Sequence, residues 1–212
     1  MSPDALPVSP AATLGLIALT HLLAAMTPGP NTVLVGHLAA ARSRGAGLEA
    51  AAGVAAATFV WVVVALAGAG LAMREAGGLY HGLRLAGALY LLVTGWRMIR
   101  AGLRPPAAAA GGPARLAATG GRPFARGLVT TLTNPKSAVF WTSVFMVVMP
   151  PSAGVGLHAA AVALVTAQSA LWYGLIAVTF STAVVRAGYA RATRVLDIVA
   201  GLVMAGLGLR LA

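Results

Sequence analysis

The chain of 212 residues contains no cysteine. That excludes disulfide staples, thiolate metal sites and a membrane redox protein built on paired thiols. Acids are nearly as scarce, with four Asp and Glu against fifteen Lys and Arg. Charged residues make up 9% of the chain and hydrophobic residues 59%, whereas soluble domains carry roughly 25% charged residues. The opening stretch, MSPDALPVSP, has no Lys or Arg ahead of the first apolar run, unlike a cleaved signal peptide. The histidines at 21, 37, 81 and 158 are dispersed, so no metal site is expected. No compact nucleophile–base or cofactor-holding set is present, and neither an enzyme nor a cofactor is expected.

What remains is apolar. Several stretches exceed the ~20 residues needed to cross a bilayer. Six spans are expected, at about 11–41, 46–72, 79–100, 123–149, 156–182 and 191–211, with the first and fourth interrupted. The formal charge of +11 would suggest nucleic acid in a soluble protein. Here the arginines lie between apolar runs, so the bilayer is the expected partner and nucleic acid is not.

The arginines also give an orientation. Eleven (42, 44, 97, 100, 104, 115, 122, 126, 186, 191 and 194) fall after spans 1, 3 and 5, and three (74, 84 and 210) fall on the other side. Basic loops stay in the cytoplasm, so both termini are expected outside. The segment 100–126, rich in Pro, Gly, Ala and Arg, reads as a linker between halves. The expected fold is one all-α integral membrane domain over 1–212. It comprises a three-helix repeat at 1–103, a cytoplasmic linker at 104–122 and a second repeat at 123–212. Three spans per half put the halves in opposite orientations, and echoes recur in the same order. Span 1 breaks at Pro28-Gly29-Pro30 and span 4 at Asn134-Pro135; Thr58-x-x-Trp61 in span 2 matches Ser169-x-x-Trp172 in span 5. Paired breaks in inverted repeats point toward a transport site.

The first break reads TPGPN, at 27–31. Pro28 and Pro30 have no N–H, so the carbonyls of Ala24 and Met26 lose their helical donors. A second half-helix starting near Pro30 and Asn31 presents unpaired N–H groups, suited to a carboxylate. Upstream carbonyls, with Thr27 and Asn31, could receive an ammonium. A simple proline kink satisfied by neighbouring helices is the structural alternative. The second break lies in LVTTLTNPKSAVFW, at 128–141. Pro135 frees the Thr131 carbonyl, and Thr133, Asn134 and their neighbours supply polar groups. Lys136 stands near the middle of span 4, where a charge costs about 2.5–3.5 kcal/mol even on the mildest scale. It either attracts a substrate carboxylate or bonds the carbonyls the break frees, and these roles are compatible. The expected binding set is Thr27, Pro28, Gly29, Pro30, Asn31, Thr133, Asn134, Pro135 and Lys136. His21 and His37 flank the first break and could carry protons. Thr58, Gln168, Ser169, Trp172 and Tyr173 could line a cavity. Asp197 is expected just inside span 6, in a local ion pair with Arg194.

TPGPN, RLAGALYLLVTGWRMIR (84–100), FARGLVTTLTNPKSAVFW (124–141) and AGLVMAGLGLRLA (200–212) resemble the lysine exporter (LysE/RhtB) family over nearly the whole chain. The resemblance implies a six-helix bacterial inner-membrane exporter of amino acids or related metabolites, driven by an ion gradient such as the proton-motive force. It carries binding roles to Pro28, Gly29, Pro30 and Asn31 and to Asn134, Pro135 and Lys136. Many relatives place an aspartate where this chain has Thr58 and Ser169, which implies an altered or relocated proton step here. A passive channel, a metal or other solute exporter and a structural membrane module are the competing readings. A homo-oligomer is compatible with the sequence.

Overall fold

Proline has no N–H to leave unpaired in the first turn of a helix, and its φ is already helical. Half of the helices among the described residues begin on one. The computed structural model describes residues 9–74, 78–103, 121–150, 152–180 and 182–209. Among them are eight α-helices: α1 (Pro10–Met26), α2 (Pro30–Ala41), α3 (Arg44–Arg74), α4 (Gly78–Leu103), α5 (Pro123–Leu132), α6 (Pro135–Val148), α7 (Val155–Thr179) and α8 (Ala183–Leu209). Helices α1, α2, α5 and α6 start on proline. The Ser9 hydroxyl caps α1 by accepting from the Ala12 N–H at 3.2 Å.

Three helices are long and apolar enough to cross a membrane: α3, α7 and the Ala192–Leu209 part of α8. The α1–α2 pair is a fourth if taken as one span bent by 57°. The chain is a multi-pass membrane protein. The α5–α6 pair and α4 are less apolar, since both carry basic residues. Helix α8 begins at Ala183 rather than near 191. Ala and Arg are strong helix formers, so the arginine-bearing turn read as a loop continues the helix. The 104–120 part of the expected linker and the first eight and last three residues lie outside the described residues.

Small residues bring the helix backbones together. A methyl on Gly53 of α3 would strike the Phe124 carbonyl of α5, and one on Gly127 would strike the Ala50 carbonyl. Helices α4 and α8 touch the same way. A Cβ at Gly95 would lie 2.6 Å from the Gly201 carbonyl oxygen, and one at Gly201 would lie 2.6 Å from that of Gly95. Between apolar lipid and apolar side chains there is little hydrophobic drive, so such close packing is what holds membrane helices together.

Helix α3 packs on α5 and α7, α4 on α8 and α6, and α1 and α2 on α7. Two apolar clusters result. One joins Ile17, Leu66, Leu91, Trp141, Phe145, Val165 and Met204. The other joins Leu34, Val35, Leu38, Ala50, Val54, Ile176 and Phe180. Helix α1 gives Ile17 and Leu23 to the one, and α2 gives Leu34, Val35 and Leu38 to the other.

Candidate functional site

At the first break, Thr27 is extended (φ −68°, ψ 130°) and ends α1. Gly29 is extended too, with φ −151° and ψ −179°, and α2 restarts at Pro30 with no side-chain cap. Side chains from the C-terminal half bond two carbonyls at the end of α1. Trp172 Nε1 donates to the Ala25 carbonyl at 3.0 Å, and the Tyr189 hydroxyl donates to that of Met26. The Ala24 carbonyl, which Pro28 deprives of its donor, has no partner among the described residues, and the start of α2 has only Gly29 ahead of it.

The second break mirrors this with one change. Trp61 Nε1 donates to the Thr131 carbonyl at 3.1 Å, so each half's break is bonded by a tryptophan of the other half. Asn134, however, caps its own half-helix, accepting from the Lys136 N–H at 3.0 Å. The start of α6 is thus partly occupied where the start of α2 is not. Between the two tryptophans, Thr58 and Ser169 meet, hydroxyl to hydroxyl at 3.3 Å. The recurring Thr/Ser-x-x-Trp pattern places a hydroxyl and an indole on one helix face, three residues apart.

The two breaks touch. The Thr131 hydroxyl lies 3.1 Å from Asn31 Oδ1 and shares its proton with the Gly127 carbonyl at 3.0 Å. Around this contact is a cavity of about 90 Å³, whose lining includes His21, Asn31, Thr58, Thr131, Lys136 and Tyr173. That is room for several waters. His21 is buried. Its Nδ1 lies 2.8 Å from Gln168 Oε1, while Gln168 Nε2 donates to the Ala18 carbonyl at 3.1 Å. An amide oxygen only accepts, so this pairing puts a proton on Nδ1. The His21 ring stands 5.2 Å from Trp141, which stacks on Phe145 at 5.6 Å and meets Phe140 edge-on at 5.0 Å. Phe140 and Trp141 of this aromatic layer line the cavity.

A larger cleft, about 520 Å³, adjoins it; Lys136 and Thr27 line both. It runs along α4 from Tyr90 through Thr94 to Arg97 and Ala101, with Pro28 and Asp197 on its other walls. Lys136 is exposed to this space. Its backbone carbonyl accepts from the Tyr90 hydroxyl at 3.4 Å, but its ammonium has no hydrogen bond or direct ion pair among the described residues.

The structure separates the residues expected from sequence. Thr27, Gly29, Pro30, Asn31, Asn134, Lys136, His21 and Thr58 line the smaller cavity, and Pro28 and Asp197 line the cleft. Pro135 opens α6. Thr133 lines neither; its exposed hydroxyl donates to the Val129 carbonyl at 2.7 Å. Two helical residues turn through roughly 200°, so Thr131 faces the cavity and Thr133 faces away. His37 lines neither space. Gln168, Ser169 and Trp172 stand behind the wall and bond groups that form it.

Asp197 lies in the middle of α8 but near the start of its membrane-crossing part, Ala192–Leu209, as expected; what departs from expectation is its partner. Arg194 turns instead to the Gly102 carbonyl, donating from Nε at 3.1 Å. Asp197 is 8% exposed, and its Oδ1 has no hydrogen-bond partner. Sequence reasoning also missed Tyr189, Tyr90 and Arg97. The polar tips of Tyr and Trp inside an apolar span were the available signal, because such tips find partners when buried.

The LysE type translocator model matches residues 22–212. The chain belongs to that family. It is 33% identical over 195 residues to the threonine efflux protein of Salmonella typhi, covering 92% of this chain and 95% of that protein. It is 32% identical to the threonine efflux protein of Escherichia coli K12 over the same shares. The leucine efflux protein of Salmonella choleraesuis is 32% identical over 121 residues, 57% of this chain and 56% of that protein. No solved structure matches. As a LysE family member the chain is a membrane transport protein, and PGPN and NPK of its two breaks lie within the matched region.

Proposed function

We propose that the chain is a secondary exporter of a small neutral amino acid, threonine-like in size, working by alternating access. Residues 1–103 and 123–212 form two inverted three-span repeats, joined on the cytoplasmic side by 104–122. One observation carries the reading. The breaks of the two halves meet at a polar cavity, through Thr131 and Asn31, with an unpartnered ammonium at Lys136. The crossed tryptophan bonds of Trp61 and Trp172 support the inverted repeat. The names of the relatives support the substrate class.

The substrate carboxylate meets Lys136 and the uncapped start of α2, where N–H groups and the helix dipole favour an anion. With arginine-rich ends in the cytoplasm, the cleft toward Arg97 and Ala101 faces the cell interior. The aromatic layer of Phe140, Trp141 and Phe145 then closes the outer end. That is the loading state of an exporter. The proton-motive force drives release outward, and His21 is the histidine placed to sense the occupied cavity.

Proteoliposomes loaded with labelled threonine and given a pH gradient test this. Losing a charge-assisted bond worth about 1.5–3 kcal/mol weakens binding by roughly 10–150-fold. Efflux from Lys136→Ala should fall accordingly at low substrate, and Asn31→Ala should fall less. Equal efflux from wild type and both variants would sink the site. Efflux rising without saturation would replace the exporter with a channel.

A further inference from the structure

We infer that Asp197 is the ammonium-binding residue of the transport site. Together with Lys136 it makes a two-charge clamp for a zwitterion. This rests on the exporter reading above and goes beyond it by naming the group that distinguishes an amino acid from other small carboxylates.

Four acids are present in the whole chain: Asp4, Glu49, Glu75 and Asp197. Asp4 and Glu75 lie outside the described residues, and Glu49 is exposed near the start of α3. Asp197 is the one acid lining either cavity among the described residues. It sits on the membrane-crossing part of α8, Ala192–Leu209, more than nine-tenths buried, with Oδ1 unpartnered. A carboxylate inside a membrane span is costly, and its presence there marks a functional site.

Two cations line the same cleft, Arg97 and Lys136, and Lys136 is the one at the break, shared with the smaller cavity. Lys136 and Asp197 attract one another but form no direct ion pair. Complementary charges held apart in one cleft suit a ligand that carries both. An α-amino acid presents its carboxylate to Lys136 and its ammonium to Asp197. The Thr27 hydroxyl lies beside Asp197 at the seam of the two spaces, so the ligand spans the break itself. A site built to hold an ionic group rejects the analogue without it, because the buried partner is then left unpaired.

The test measures discrimination rather than activity. Labelled L-threonine is bound to detergent-purified protein and displaced by L-threonine or by 2,3-dihydroxybutyrate, in which a hydroxyl replaces the ammonium. Wild type should prefer the amino acid by about 10–100-fold, the worth of one charge-assisted hydrogen bond. Asp197→Asn should lose most of that preference because amino-acid affinity falls while hydroxy-acid affinity holds. Asp197→Glu should keep part of it. Lys136→Gln should keep the amine preference and lose the preference for threonine over threoninamide. Unchanged preference in Asp197→Asn, or equal weakening of both ligands, would overturn the assignment while leaving the exporter reading intact. Absence of threonine or any other amino-acid binding by wild type would overturn both.

Discussion

Each tryptophan that bonds a broken helix can be replaced by phenylalanine, which keeps an aromatic ring and removes the N–H. In Trp172→Phe the Ala25 carbonyl loses its 3.0 Å donor; in Trp61→Phe the Thr131 carbonyl loses its 3.1 Å donor. Hydrogen bonds between membrane helices average about 0.6 kcal/mol and reach about 1.7. A buried acceptor left bare adds a further cost of about 1–3 kcal/mol. Here a polar cavity with room for water lies next to both breaks, which offsets part of that cost. The expected loss is thus about 1–2 kcal/mol for each variant, a factor of roughly 5–30 in the folded-to-unfolded ratio. Trp96 is the control, because it is 59% exposed on α4 and makes no such bond. The assay is reversible unfolding in mixed micelles titrated with dodecyl sulfate, followed by the helical circular-dichroism signal. Trp96→Phe should be neutral. If all three variants unfold together with wild type, the claim that the opposite half stabilises each break is refuted.

Other expectations follow from the same contacts. Gly127→Ala should destabilise by more than about 1 kcal/mol, since its methyl meets the Ala50 backbone. Gly68→Ala has open space and should be neutral or gain up to about 1 kcal/mol of helix propensity; the same titration separates them. Thr131→Val should lower threonine binding by cutting the link to Asn31, whereas Thr133→Val, on the far face, should bind as wild type in a displacement assay. Gln168→Leu releases His21 from its 2.8 Å partner. It should change the pH dependence of efflux in proteoliposomes without abolishing threonine binding.

Prolines made much of this legible. Pro10, Pro30, Pro123 and Pro135 each mark a helix start, and two of them mark the breaks. The motif positions on the half-helix starts, Asn31 and Lys136, converge on one cavity. Neighbours in sequence were harder to sort. Thr131 and Thr133 have the same chemistry, and only the phase of α5 decides which faces inward. For Asp197 the depth was legible and the partner was not. Arginines can extend a helix past the membrane edge as readily as they end it, and Arg194 turns to the Gly102 carbonyl of a neighbouring helix rather than to Asp197. The donors to freed carbonyls could not be paired in advance. Trp61 and Trp172 were visible as a repeated pattern, yet the bonds they make span 70 and 147 residues.

The difference between the breaks bears on how such a protein can move. At the second break Asn134 occupies the first donors of α6. At the first, Gly29 offers α2 no side chain. The two breaks are therefore unequal, and the proposed site is asymmetric: its carboxylate is assigned to the α2 end, while α6 contributes Lys136 from its first turn. Both tryptophan bonds cross between halves, and Thr58 and Ser169 meet between them. A rocking motion that broke both bonds would bare two carbonyls, at about 1–3 kcal/mol each. Pivoting about the α3–α7 contact leaves them nearly in place. In the alternating access proposed above, the movement would then fall on the α4–α8 pair and the aromatic layer. Replacing Thr58 and Ser169 together by valine should slow threonine efflux while sparing equilibrium binding in detergent. Equal losses in binding and efflux would move the pivot elsewhere.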